Sequence, residues 1–152
     1  MKRHKIIKKV EVPYTGPRLD PKSELVFLQN ADYHEASRYV RAYNLSPEGE
    51  KILVGNCRPE VIDVYIEKRA FSEGAEVLLV KRKDSRLLQK YIKRYPLSHA
   101  AQKYLLEHGR KEDIFCMVRA KFPLCDDIVK MLPSRGNGFA EAYVAPDKFR
   151  VV

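Results

Sequence analysis

The sequence predicts an all-α fold, a right-handed α-solenoid of about four and a half two-helix repeats of 26 residues. Three observations lead there. First, Tyr39-Val40, Tyr65-Ile66, Tyr91-Ile92, Met117-Val118 and Tyr143-Val144 stand at one fixed spacing. A second column follows with Leu45, Phe71, Leu97 and, one place late, Leu124, and a third with Ser46, Ser72, Ser98 and Cys125. Self-similarity of this length is the signature of stacked supersecondary units. Second, Leu88, Tyr91, Ile92 and Tyr95 fall at i, i+3, i+4 and i+7, which is helical spacing. The β-branched run Val61–Ile66 shares that register and is assigned the same conformation. Third, the second half of each unit begins at Ser or Asp, with Pro21 and Pro47 one place later. Such a residue accepts a hydrogen bond from first-turn N–H groups, and proline there lacks only a donor the helix does not use.

Each unit therefore reads as helix A, a tight turn at Leu-Ser, helix B and a second short turn. Helix A is expected over roughly 33–43, 59–69, 85–95, 111–121 and 138–145. Helix B is expected over roughly 21–29, 47–55, 73–81, 99–107 and 126–132. Helices of two or three turns are unstable alone and need neighbours. The small residues Ser23, Gly49, Ala75 and Ala101 mark where helix B backs closely onto helix A. Gly109 is expected to stop its helix in the left-handed conformation. Pro133 to Gly138 reads as a loop.

Two domains of behaviour follow. Residues 1–18 form a basic N-terminal tail and linker, and residues 19–152 form the helical-repeat domain. Residues 1–9 hold five cations and no acid, more than half of the net charge of +9. No run is long enough for a membrane span, and Ile6-Ile7 is too short for a signal peptide.

The turn Tyr95-Pro96-Leu97-Ser98, followed by Tyr104-Leu-Leu-Glu-His-Gly109, resembles the short bacterial repeats known as leucine-rich repeat variants. Leu45-Ser46-Pro47 echoes their Thr-Pro step. The wider class of HEAT-like α-solenoids is also similar. The resemblance covers about residues 19–145 and implies a stacked helical array; it implies no one function. Some family members carry an iron–sulfur module, but this chain has no clustered cysteines to match it.

Metal and catalytic chemistry find little support. Cys57, Cys116 and Cys125 and the four histidines make no C-x-x-C or H-x₃₋₅-H pair. The adjacent acids Glu112-Asp113 and Asp126-Asp127 sit at expected helix starts, where the dipole favours them. No Ser/His/Asp set or glycine-rich phosphate loop stands out, so neither a catalytic site nor a cofactor is expected. Three cysteines and no export signal suggest the cytoplasm. The tyrosine column is expected in the core, with each hydroxyl reaching the edge.

Cations remain. One row, including Arg41, Lys93 and Arg119, falls near helix-A C-termini, where the dipole accounts for it. A second ridge follows the B-to-A turns: Arg58, Lys81, Arg82, Lys83, Arg110, Lys111 and Arg135, with Lys2, Arg3 and Lys5 in the tail. The expected function is a non-enzymatic scaffold for a protein partner. The alternative is a nucleic-acid-backbone binder that uses this ridge and the tail.

Overall fold

The computed structural model describes Tyr14 and residues 16–143, and among them it contains helices and no strand. The helices are α1 (Pro21–Asn30), α2 (Tyr33–Ala42), α3 (Pro47–Asn56), α4 (Pro59–Ile66) and α5 (Glu73–Arg82). They continue as α6 (Ser85–Arg94), α7 (His99–His108), α8 (Lys111–Arg119), α9 (Asp126–Arg135) and α10 (Phe139–Tyr143). Odd-numbered helices occupy the expected helix-B segments and even-numbered ones the helix-A segments. None is long and apolar enough to cross a membrane among the described residues.

The capping residues act as their chemistry dictates. Asp20, Asp32, Ser46, Asp84 and Ser98 each accept a hydrogen bond from the N–H three residues on, at 2.8 to 3.3 Å. Pro21, Pro47 and Pro59 open α1, α3 and α4. Two expectations fail locally. Gly109 is extended (φ −80°, ψ 170°), not left-handed. Its need for glycine is spatial: a Cβ would lie 2.6 Å from the Leu105 carbonyl oxygen, which the Gly109 N–H approaches to 2.7 Å. The left-handed stop falls instead on Lys83, at φ 59° after α5. Pro133 lies inside α9, not in a loop. So close to the end it removes few bonds, and the Ser134 hydroxyl donates to the Met131 carbonyl at 2.8 Å.

The helices pack in two rows. Along one, α1 meets α3, α3 meets α5, α5 meets α7 and α7 meets α9; along the other, α2, α4, α6, α8 and α10 follow one another. The apolar core lies between the rows. Leu53, Leu79, Leu105 and Leu132 enter it from the odd helices, and Val40, Ile66, Ile92 and Val118 from the even ones. Phe71 stacks between Tyr65 and Tyr91, with ring centroids 5.3 and 5.5 Å away.

Polar groups cross this core in a recurring pattern. Tyr65 donates its hydroxyl proton to Glu50 Oε2 at 2.8 Å and accepts from the Leu45 N–H at 3.1 Å. The other oxygen of Glu50 accepts from the Ser72 N–H at 2.7 Å. Tyr91 does the same with Glu76 and Phe71, and Glu76 accepts from Ser98. Tyr39, Glu24, Leu19 and Ser46 form the matching set. Tyr39, Tyr65 and Tyr91 are buried to within 1% of full exclusion, so their hydroxyls point inward to carboxylates and not to the edge. The small-residue column takes part: a Cβ on Gly49 would come within 2.7 Å of Glu24 Oε1. At that position glycine makes room for the carboxylate of the preceding odd helix, not for a helix-A partner.

Where the pattern loses its tyrosine it also loses its acid. Met117 has no hydroxyl to donate, and the matching carboxylate is replaced by Gln102. Gln102 accepts from the Cys125 N–H at 3.0 Å and donates its amide to the Leu97 carbonyl at 2.9 Å. Tyr143 again accepts from the Leu124 N–H, at 3.2 Å.

Two predictions follow from this core. Tyr91→Met alone should cost about 2–3 kcal/mol in urea unfolding, because it strands the Phe71 N–H and one side of a buried carboxylate. Adding Glu76→Gln, which recreates the Gln102–Met117 pairing, should recover about 1 kcal/mol; strictly additive costs would refute the coupling. The second concerns alkali. Burial pushes the Tyr39 hydroxyl up to about 12, and raises Tyr65 and Tyr91 as well. A folded-state value above the unfolded ~10 favours the protonated native form, so this stability is complete below pH ~10 and falls as pH rises through the folded values. Absorbance at 295 nm should show these three tyrosines ionising only together with loss of helical circular dichroism.

Candidate functional site

Six of the seven ridge cations find partners inside the molecule. The Arg58 guanidinium lies 4.5 Å over the Tyr33 ring, and Lys81 Nζ lies 5.2 Å from the Tyr104 ring centroid. Arg82 donates to the Val54 carbonyl at 2.7 Å, and Arg135 to the Glu107 carbonyl at 3.3 Å. Both carbonyls lie near the C-terminal end of the preceding odd helix, where free acceptors and the negative end of the dipole welcome a cation. Lys83 reaches the His108 carbonyl at 3.4 Å, and Arg110 donates to the Ser85 hydroxyl at 3.1 Å. Lys111 is exposed at the start of α8. Lys2, Arg3 and Lys5 lie outside the described residues. The ridge residues share one edge, but each reaches towards a neighbouring element and they do not converge on a common point.

The other cation row behaves alike. Arg69 donates to the Val40 and Arg41 carbonyls at 2.6 and 3.0 Å, and Arg94 to the Glu67 carbonyl at 2.5 Å. Lys90 pairs with Asp63. These side chains serve the end of the preceding even helix more than their own.

A different surface emerges along the odd helices. The sequence pairs Val26-Phe27, Ile52-Leu53, Leu78-Leu79, Tyr104-Leu105 and Met131-Leu132 split between inside and outside. The second members of the last four pairs are fully buried, while Val26 is 59% exposed and Ile52, Leu78, Tyr104 and Met131 are half-buried. Beside them stand the small residues Gly55, Gly74 and Ala100, and the exposed Lys51, Lys103 and Lys130. Lys51 crosses to the next helix, where a Cβ on Gly74 would meet its Cε at 2.7 Å.

Reactive chemistry is sparse. Burial raises the Cys57 and Cys116 thiols, which keeps them protonated and poor nucleophiles. His99 Nε2 lies 2.5 Å from Asp127 Oδ2, and this contact holds the Asp127 carboxyl below its usual range; both side chains are about half exposed. Asp113 lies in the first turn of α8, as expected, and is only 2% exposed. It accepts from the Ser85 hydroxyl at 3.0 Å and the Gln89 amide at 2.9 Å, joining α8 to α6. Its column holds Glu35, Val61, Leu87 and Phe139, and Glu35 is exposed, so the column alone does not mark Asp113 as buried. Among the described residues no cluster of His, Cys, Asp and Glu is placed to hold a metal.

The chain matches no protein-family model, and comparison with curated proteins and with solved structures found no match to either.

The contacts along the turn edge can be tested by stability. Arg82→Ala should lower unfolding free energy by about 1 kcal/mol, since it uncovers a helix-end carbonyl. Lys83→Gly should be neutral or stabilise by up to ~1 kcal/mol, because glycine carries no penalty at positive φ. Lys111→Ala should change stability by less than ~0.5 kcal/mol. Urea titrations of the three variants decide; a costly Lys83→Gly would show that its contact with His108 outweighs the backbone strain.

Proposed function

We propose that this chain is a non-enzymatic scaffold that binds a protein partner on the surface of a right-handed α-solenoid. In this reading about four and a half 26-residue units follow one another, as in the leucine-rich repeat variant and HEAT-like arrays that the sequence resembles. The recurrence of the Tyr–Glu–turn connection at matching positions supports the stacking. The cytoplasm suits its free cysteines. One observation carries the binding role: Val26 is exposed, and Ile52, Leu78, Tyr104 and Met131, although packed against the core, keep part of their apolar surface open along the odd helices. The parts of Ile52, Leu78, Tyr104 and Met131 that the core does not cover stand in phase with exposed Val26, which is the kind of apolar row a partner covers.

A second reading, a nucleic-acid-backbone binder, draws on Lys83. A lysine held at positive φ beside Arg82 is a strained choice where glycine would be relaxed, and strain of this kind clusters at functional positions. The engagement of six ridge cations with carbonyls, a hydroxyl and rings places this reading second.

One pair of experiments separates them. Affinity capture with the full chain after nuclease treatment should return a saturable protein partner. Titration with mixed DNA and RNA across a salt series should show only weak binding that disappears when residues 1–9 are deleted. Binding that survives the deletion and falls by about 0.9 log unit per phosphate neutralised for each tenfold rise in salt would reverse the order of the two readings.

A further inference from the structure

We propose that the outward face of the odd helices receives an extended acidic segment of a partner, with an apolar side chain at every third residue. The inference rests on the scaffold reading above and names the chemistry of its partner.

Charge gives the sign. The last six residues of each odd helix together contribute Lys51, Lys81, Arg82, Lys103, Lys130 and Arg135 against one acid, Glu107. The exposed acids Glu48, Glu73, Asp126 and Asp127 lie in first turns, at the opposite end of each helix, and Asp127 is engaged by His99. The belt that holds Ile52, Leu78, Tyr104 and Met131 is therefore basic along its length. An acidic partner is attracted, and its own apolar side chains meet apolar ones.

Spacing gives the conformation. Packed helices lie ~8–10 Å apart, so equivalent residues on successive odd helices recur at about that interval. A polyproline II strand has three residues per turn and rises ~3.1 Å per residue, so every third side chain returns to the same face after about 9 Å. An apolar residue at every third position can then meet Ile52, Leu78, Tyr104 and Met131 in turn, while the residues between stay free for the lysines. Lys51 lies across the furrow to Gly74 and Lys81 across the next to Tyr104, while Gly55, Gly74 and Ala100 keep the path between them low. The row of mostly aliphatic side chains favours a peptide over a nucleic acid, whose backbone needs cations and whose bases need exposed aromatic faces.

The test uses the full chain and a fluorescein-labelled 15-residue peptide made of five Pro-Glu-Leu triplets. Controls are a scrambled peptide of the same composition, the same triplets with Lys for Glu, and a 15-nucleotide oligo-dT. By anisotropy the triplet peptide should bind at least ~10-fold more tightly than the scrambled one. Leu78→Ser should weaken it ~10-fold through lost apolar burial, and Lys81→Glu ~5-fold through charge, with melting temperatures held near the parent's to show intact folding. Equal binding of the triplet and scrambled peptides, or none below ~1 mM, overturns the proposal. Loss of peptide binding together with capture of a protein that crosslinks to the even helices would overturn it and leave the scaffold reading standing. Binding of oligo-dT alone would remove both. A concentration-dependent increase in sedimentation that Leu78→Ser abolishes, without peptide binding, would assign the face to a second copy of the chain and overturn it too.

Discussion

The turn that leads into each odd helix exposes two consecutive backbone N–H groups that its own helix cannot satisfy. The chain answers in the same way at each of three turns. At Leu45-Ser46 the first N–H goes to the hydroxyl of Tyr65, from the even helix that follows, and the second to Glu24, from the odd helix that precedes. At Phe71-Ser72 the partners are Tyr91 and Glu50. Leu124-Cys125 uses Tyr143 and Gln102. An unpaired buried N–H costs ~1–3 kcal/mol, which is large for helices that cannot stand alone. Each turn is thus fastened from both sides, and the fastening sets how neighbouring helices sit. The apolar columns supply most of the burial, but they tolerate sliding; a hydrogen bond to one oxygen does not.

The same arrangement explains how three carboxylates survive inside with no ion pair to a lysine or arginine among the described residues. Glu24, Glu50 and Glu76 each face the residue that caps the next odd helix: Ser46, Ser72 and Ser98. A helix N-terminus carries about half a positive charge in free N–H groups. The carboxylate of one odd helix therefore stands at the positive end of the next. Tyrosine adds a further donor to each. Burial still pushes the Glu76 carboxyl above the usual range, against the pull of Tyr91 and Ser98, so the setting compensates only in part. The helix dipoles of one row and the hydroxyls of the other act on the same few atoms.

Much of the fold was legible because phase survives substitution. The columns at Tyr39, Tyr65 and Tyr91 place α2, α4 and α6, and the Ser and Pro residues place the starts of α1, α3, α5 and α7. What was not legible depends on which way a polar side chain turns. Glu24, Glu50 and Glu76 stand in register, yet a glutamate in a first turn usually faces water, so nothing in residue type marks these as interior. Arg82 and Arg135 read as a surface ridge because composition does not reveal that an arginine can span one interhelical gap and reach a carbonyl 28 residues back. Asp113 was not legible either, since Glu35 stands at the same register and faces solvent. Gly109 misled because glycine serves close approach as readily as positive φ, and the sequence alone does not separate the two.

The exception in the pattern reveals what the pattern is for. If the interior needed negative charge, the loss of Tyr91's counterpart at Met117 would leave a glutamate behind. If it needed only shape, glutamine would be free to appear beside a tyrosine. Instead Met117 and Gln102 occur together, and the amide that replaces the carboxylate both accepts from Cys125 and donates to Leu97. What is preserved is the bond to the turn; the rest of the side chain changes to suit the donors that remain. A core built on that rule places its demands on inward positions of the odd helices and on the tyrosine column. Ile52, Leu78, Tyr104 and Met131 lie outside that rule: they are apolar, pack against the core from its margin, and form no part of the bond to the turn.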